Sequence, residues 1–157
     1  MKKKKLKKIC LISSSGGHLT KTYALSDWWT EYERVWITRN DNLSQNLLKN
    51  EIVYHAHFPE QRNIANFLKN LFTAYQILRK EKPNLIFSTG AGVAVPFFIV
   101  ARILKIKTIF METFIFIDQP TLTGKLINVF RLADFFLVQN KNLLKQYPQA
   151  KYIGSIV

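Results

Sequence analysis

Apolar residues along the chain fall into two alternating patterns. Short continuous runs, several with hardly a polar residue, are followed by longer stretches in which apolar residues recur at three- and four-residue steps. The runs Ile9–Ser13, Arg34–Thr38, Ile52–Phe58, Asn84–Ser88, Lys107–Glu112 and Phe135–Gln139 read as strands, with Tyr152–Ile156 as a short last one. The stretches Leu19–Glu33, Leu43–Asn50, Arg62–Lys80, Val93–Leu104, Lys125–Leu132 and Lys141–Gln146 read as helices. The clearest is Arg62–Lys80, where Ile64, Phe67, Leu68, Leu71, Phe72, Tyr75 and Leu78 make one apolar stripe and Pro83 closes the helix. Strand and helix alternate, and the runs are apolar on both faces. Together these predict an α/β chain: a Rossmann-like doubly wound parallel sheet in a single domain. The expected division is a basic tail over residues 1–8 and the Rossmann-like domain over 9–157.

One segment strains the pattern. Val93–Leu104 is almost wholly apolar, yet at about 12 residues it is well short of the roughly 20 that span a bilayer. It reads either as a helix packed on both sides or as one whose outer face, with Phe97 and Phe98, enters a membrane interface. Both residues are carried forward as membrane contacts.

At 157 residues, 48% of them hydrophobic, the chain has material for one core and is not disordered. Charge adds more: 23 Lys+Arg stand against 10 Asp+Glu, a formal +13 that implies an anionic partner. Lys2, Lys3, Lys4, Lys5, Lys7 and Lys8 crowd the first eight residues, a run suited either to an anionic membrane face or to plain solvation. Ile9–Ile12 is too short for a signal-peptide core. No basic helix with spaced base-reading residues is present, so nucleic acid is not the expected partner. Cys10 admits no internal disulfide and reads as a small buried hydrophobe in a cytoplasmic protein. His18, His55 and His57 lack companions at ligand spacing; neither a metal nor a cofactor is expected.

Ligands of open parallel sheets bind beyond the carboxyl ends of the strands, and four loops fall there. Ser13-Ser14-Ser15-Gly16-Gly17-His18 opens a space at a helix N-terminus that suits a phosphate or a sugar hydroxyl. It matches neither the dinucleotide nor the P-loop spacing. His18 has the pKa of a general base, though a capping histidine would sit there too. Ser88-Thr89-Gly90-Ala91-Gly92 repeats the small-residue theme. Glu112-Thr113 leads into a hydroxyl-rich loop ending Thr121-Leu122-Thr123-Gly124, with the apolar Phe114–Ile117 between; Glu112 suits a base, a ligand contact or an ion pair. Gln139-Asn140 suits helix capping or an amide contact to a ligand.

With these blocks in place the chain resembles the ALG-fourteen family of oligosaccharide-biosynthesis proteins. The resemblance runs through Ser-Ser-Gly-Gly-His (14–18), Ser-Thr-Gly-Ala-Gly-Val (88–93), Glu-Thr-Phe (112–114), Pro-Thr-Leu-Thr-Gly-Lys-Leu (120–126), Ala-Asp-Phe-Phe-Leu-Val-Gln (133–139) and Tyr-Ile-Gly-Ser (152–155). The Gly-Gly-His loop is also similar to the start of peptidoglycan-precursor N-acetylglucosaminyltransferases. The resemblance implies the N-terminal half of a GT-B glycosyltransferase, split between two chains. This chain would hold a polyprenyl-pyrophosphate-linked sugar at the cytoplasmic face of the membrane, attached peripherally. An ALG-thirteen-like partner would supply the nucleotide sugar, of the GlcNAc, glucose or galactose class, in exopolysaccharide or capsule synthesis. It further implies His18 as the base with Glu112 as rival, and an acceptor site of Ser15, Gly16, Gly17, Gly90, Gly92, Thr113, Thr121, Thr123 and Gly124. Two positions depart from the family pattern: Phe116 where a basic residue is usual, and Asn140 where tryptophan follows the glutamine. A self-sufficient small glycosyltransferase is the alternative enzyme reading, and a basic nucleic-acid-binding module the non-enzyme one.

Overall fold

The structure, a computed structural model, describes residues 7–60, 62–113 and 119–155. Most of the lysine run, the Phe114–Ile117 segment with Phe116, and the end of the last expected strand therefore lie outside the described residues.

Seven parallel strands form one sheet: β1 Lys8–Ser13, β2 Glu33–Thr38, β3 Val53–His55, β4 Leu85–Gly90, β5 Lys107–Glu112, β6 Phe135–Val138 and β7 Lys151–Tyr152. Their order is β3-β2-β1-β4-β5-β6-β7. The chain starts in the middle, runs out to one edge, then crosses back to β4 beside β1. The central strands β1, β2, β4 and β5 are apolar on both faces and need cover on both sides, whereas the edge strands β3 and β7 are short and partly or wholly exposed. Helices α1 Gly17–Tyr23, α2 Ser26–Trp29 and α3 Asn42–Leu47 lie on one face; α4 Ile64–Glu81, α5 Ala94–Ile103 and α6 Leu122–Val129 lie on the other. A 3₁₀ turn, Lys141–Lys145, follows β6. Cys10 is fully buried in β1, as expected.

Alternate residues of one strand feed different cores. Ile9, Leu11 and Trp36 pack with Leu19 and Trp29 beneath α1–α3, while Cys10, Ile12, Phe110 and Phe136 pack beneath α4–α6. Trp29 meets Trp36 edge-on with centroids 5.3 Å apart, and its indole N–H donates to the Thr22 carbonyl. That contact explains why the expected helix Leu19–Glu33 is two short ones: the chain bends after Tyr23 so that Trp29 can turn onto the sheet. Helix α6 begins three residues ahead of expectation because the Thr121 hydroxyl caps it, accepting from the Gly124 N–H. The segment Lys141–Gln146 closes as a 3₁₀ turn capped by Asn140, whose carbonyl side-chain oxygen accepts from Asn142 N–H.

Three expectations are corrected. Phe97 and Phe98 are 0% exposed and do not touch the surface; Phe98 packs edge-on against Phe110 in the α4–α6 core. Burying each phenyl contributes about 1.5–3 kcal/mol, which no lipid contact would improve on. Lys8 does not belong to a tail: it begins β1, and its Nζ is 2.5 Å from Glu81 Oε2 at the end of α4. The single stripe on α4 divides in two. Ala74 and Leu78 are buried with Phe67 and Leu71 packed beside them, whereas Ile64, Leu68, Phe72 and Tyr75 face solvent at 46–78% exposure. A stripe of seven residues is wider than one neighbour, α5, can cover.

Candidate functional site

The loops after β1 and β4 part on opposite sides of the sheet, and the order of the strands reverses at that point. Such a switch point leaves a crevice that no crossover fills. A cavity of about 1010 Å³ opens there. His18, Gly90, Gly92, Glu112, Thr113, Thr121 and Thr123 all line it, so residues up to 105 positions apart in the sequence face one space. No cluster of potential metal ligands occurs among the described residues.

His18 is held at two points by one residue. Its Nδ1 lies 2.8 Å from the Thr89 carbonyl, and its own carbonyl accepts from the Thr89 hydroxyl at 3.0 Å. Thr22 reinforces the pair, bonding both the His18 carbonyl and the Thr89 hydroxyl. A carbonyl only accepts, so Nδ1 carries the proton and Nε2 keeps its lone pair. Burial lowers the His18 pKa, opposed by the Thr89 carbonyl, and the ring is neutral at physiological pH. Gly90, at φ +110°, lies against this ring: a Cβ there would stand 2.7 Å from His18 Cε1. The glycine meets both a left-handed backbone and the lack of room.

Glu112 is built differently. It is 1% exposed, and its Oε1 accepts from the Thr121 N–H at 2.8 Å, tying the end of β5 to the start of α6. Its Oε2 has no hydrogen-bond partner among the described residues, and neither does the buried Tyr147 hydroxyl. Both crowd Gly124, where a Cβ would fall 1.9 Å from Oε2 and 2.8 Å from the phenol oxygen. Burial raises the Glu112 pKa, opposed by the backbone and side-chain hydrogen bonds of Thr121. Burial likewise raises that of Tyr147, reinforced by the nearby carboxylate. Glu112 makes none of the ion pairs among the described residues.

Not all expected residues meet here. Gly124 packs behind Glu112 rather than on the cavity wall. Ser15, Gly16 and Gly17 do not line the cavity, and Gly16, at φ +92°, precedes α1. A Cβ on Gly16 or Gly17 would meet nothing within 4 Å, so this loop borders open space.

Sequence reasoning missed one wall. Glu60, Arg62 and Asn63 from the segment between β3 and α4, with Ile64 and Phe67 from the start of α4, close the cavity on this side. Arg62 supplies the one lysine or arginine among the lining residues. It lies outside the helix it was assigned to, at φ +52°, one residue before the Asn63 cap. The rule about carboxyl ends of strands points to it, but reading the strand to Phe58 and the helix from Arg62 leaves only residues 59–61 as loop and puts Arg62 inside the helix. The cavity therefore meets the N-terminal turns of α4, α5 and α6 at once, each bringing the positive end of its helix dipole near it, although the Ala94 and Val95 N–H groups of α5 are already bonded to the Ala91 and Gly92 carbonyls. Exposed Ile64 and Leu122 stand among its lining residues. The space thus combines an unprotonated imidazole nitrogen, a positive field and an apolar border.

Comparison with known proteins places this geometry. The family described as "Oligosaccharide biosynthesis protein Alg14 like" matches residues 55–156. The mouse UDP-N-acetylglucosamine transferase subunit ALG14 is 26% identical over 96% of this chain and 83% of its own length. The Clostridium kluyveri UDP-N-acetylglucosamine–N-acetylmuramyl-(pentapeptide) pyrophosphoryl-undecaprenol N-acetylglucosamine transferase is 36% identical over 69% of this chain, which is 35% of that enzyme. Among solved structures, Acinetobacter baumannii MurG superposes with a TM-score of 0.71 at 20% identity, over 87% of this chain and 42% of its own. The UDP-GlcNAc 2-epimerase of Neisseria meningitidis gives 0.74 at 12% identity, over 95% and 47%. The chain thus spans less than half of those two structures. The shared fold is the expected Rossmann-like one, that of the N-terminal half of GT-B enzymes.

Proposed function

The chain belongs to the family of Alg14-like oligosaccharide biosynthesis proteins, and from that membership and the cavity we propose that it is the acceptor-binding, membrane-docking subunit of a two-component glycosyltransferase. An ALG-thirteen-like partner completes the cleft and brings the nucleotide sugar. The mouse relative, named as a transferase subunit and matched along most of its length, supports the division of labour. Both named transferases carry N-acetylglucosamine, which favours that sugar within the hexose class.

The observation that carries the reading is the His18–Thr89 lock at the cavity wall. Nε2 takes the proton of an acceptor hydroxyl. The hydroxyl oxygen attacks the anomeric carbon of the donor, and the bond from that carbon to the nucleoside diphosphate breaks. The acceptor's pyrophosphate lies in the positive field of Arg62 and the N-termini of α4, α5 and α6, which replaces the basic residue that Phe116 displaces from the family pattern. Thr113, Thr121 and Thr123 offer hydroxyls to the same ligand, and Gly90 and Gly92 give it room beside the backbone. Ser15, Gly16 and Gly17 border the open side of the crevice, where the partner and the donor approach. Glu112 acts through Thr121, holding the first turn of α6 in place, rather than on the proton.

A lipid-linked acceptor requires a membrane-facing surface, and the exposed apolar side chains mark it. Of thirteen large hydrophobics exposed among the described residues, eight fall on α4, the end of α5 and α6: Ile64, Leu68, Phe72, Tyr75, Ile103, Leu122, Val129 and Phe130. This layer, with the lysines of the N-terminal run, docks peripherally on the cytoplasmic face of the membrane. No helix among the described residues is long and apolar enough to cross one.

Replacing the base tests the assignment. The His18→Ala variant, co-expressed with the partner, is expected to lose about 10²–10⁴-fold in sugar transfer while the two chains still co-purify. Turnover within a factor of a few of the unmodified complex would remove His18 as the base.

A further inference from the structure

At the opposite end of the sheet from the cavity, the turns after α5 and α6 enclose a second, smaller cleft of about 340 Å³. Arg102, Lys105, Lys107 and Arg131 surround it with a single carboxylate, Asp134. That carboxylate is already committed, receiving Lys107 Nζ at 3.2 Å and the Thr108 N–H at 2.9 Å. Arg102 donates to the Arg131 carbonyl. The Lys105 and Arg131 side chains have no hydrogen-bond or ion-pair partner among the described residues. Four cations around one occupied acid leave a strongly positive recess with nothing to neutralise it.

The backbone makes the arrangement more pointed. Both helices end in the same Schellman motif: Ile106 N–H reaches the Ala101 carbonyl and Leu132 N–H the Ile127 carbonyl, each at 2.9 Å. The residue that must turn left-handed in this motif is Lys105 at φ +57° in one helix and Arg131 at φ +48° in the other. Glycine is the usual occupant, because a side chain makes that conformation unfavourable. Attraction to the negative helix ends explains cations nearby, and Arg102 already meets that need in the last turn of α5. Lys82 takes a left-handed conformation at the end of α4 as well, so the conformation alone singles out nothing; what sets Lys105 and Arg131 apart is that both line one recess beside Arg102 and Lys107. Beside the recess stand Ile103, Val129 and Phe130, each more than 60% exposed.

We infer that this cleft is a head-group site for an anionic phospholipid: Lys105 and Arg131 take its phosphate, Arg102 and Lys107 flank them, and Ile103, Val129 and Phe130 enter the interface beside it. Apolar tips next to unpaired cations fit a charged bilayer surface better than a free anion, which would leave the three hydrophobics in water. The inference rests on the membrane-docking reading of α4–α6 and adds lipid selectivity to it. Docking through the apolar layer alone would not distinguish anionic from neutral bilayers, whereas a cleft of excess positive charge does, because it favours a phosphate with no cation in its own head group over one balanced by choline.

Glycine is the informative replacement, since it suits the left-handed turns better than the native residues do. The Lys105→Gly/Arg131→Gly variant of the full chain is expected to melt no lower than the parent. Its affinity for phosphatidylglycerol-containing vesicles should fall about thirty-fold, roughly five-fold for each cation. Its affinity for phosphatidylcholine vesicles should not change. Leu68→Ser/Phe72→Ser should weaken binding to both kinds of vesicle, and its failure to do so would strike the docking reading instead. A control that removes the same charge elsewhere, Lys49→Gln/Lys145→Gln, should cost only a few-fold. If the control loses as much as the glycine pair, the cleft is only part of a diffuse charge and the inference is overturned. It is equally overturned if inorganic phosphate at millimolar concentration competes with the vesicles completely, which would make the site one for a soluble anion.

Discussion

Glu112 shows at a single side chain how the site departs from what stability alone would select. A carboxyl buried against Gly124 and Tyr147, with one oxygen lacking a partner, is ionised only against the cost of desolvation. Its pKa in the folded state lies above the ordinary value because of that burial. The group therefore contributes stability that is fully present below its unfolded pKa and lost as pH rises through the raised folded value. Glutamine does not titrate, and its oxygen still accepts from Thr121 while its amide reaches towards the unpaired Tyr147 hydroxyl. Melting both proteins across a pH series should show the Glu112→Gln variant gaining on the parent as pH rises from the ordinary carboxylate range through the raised folded value. A difference that stays flat, or narrows with rising pH, would mean that Glu112 is not a desolvated carboxyl. His18 has the opposite sign: burial lowers its pKa, so it stays an unprotonated base further into the acid range than an exposed histidine.

Elements were legible in the sequence where one face decided their fate. Each of the seven strands overlaps an expected run, with ends that differ by up to two residues for β1, β2 and β4 and a short β7 that starts one residue early. The overlap arises because the central strands, covered on both sides, are continuously apolar; the alternation with helices predicted the sheet as parallel. Two things escaped. Helix boundaries depended on tertiary partners, such as Trp29 finding Trp36, that no local pattern contains. The direction an apolar residue faces was also hidden: α4 carries more hydrophobic width than its neighbours cover, while α5, the most apolar helix, is covered almost completely. Periodicity reports how wide the apolar face is, not what covers it. The site divided in the same manner. Glycines and histidine in loops after strands were visible, but Arg62 was hidden inside an apparent helix, and the role of Thr89 in orienting His18 is a contact across 71 positions. The reversal at α5 gives a prediction. Phe97→Ala should destabilise the fold by about 3–5 kcal/mol through the cavity left in the core, yet leave vesicle binding per folded molecule unchanged. Selective loss of vesicle binding without loss of stability would return Phe97 to the membrane surface.

At the scale of the whole molecule, the functional features sit on different sides of one sheet. The large cavity lies at the carboxyl ends of the strands, the cationic cleft at their amino ends, and the apolar layer α4–α6 joins the two. On the proposed docking of α4–α6 against a bilayer, a lipid-linked acceptor would reach the cavity past Ile64 and Leu122 without leaving the interface, while Gly16 and Gly17 border the open side. That geometry accounts for the ligand that arrives from the membrane. It gives no comparable enclosure for the one that arrives from solution: Gly16 and Gly17 border empty space, and on the proposed reading Arg62 and the helix N-termini at the cavity are taken up by the acceptor's phosphates. The donor's nucleotide should therefore depend on the partner for most of its contacts. Calorimetric titration of UDP-N-acetylglucosamine into this chain alone is expected to give no measurable heat of binding, weaker than about 1 mM, whereas the complex with the partner should bind in the micromolar range typical of such substrates. Micromolar binding to the isolated chain would contradict the two-component reading and favour a self-sufficient transferase. Silence from both chain and complex would point to another donor, leaving the acceptor cavity as it stands.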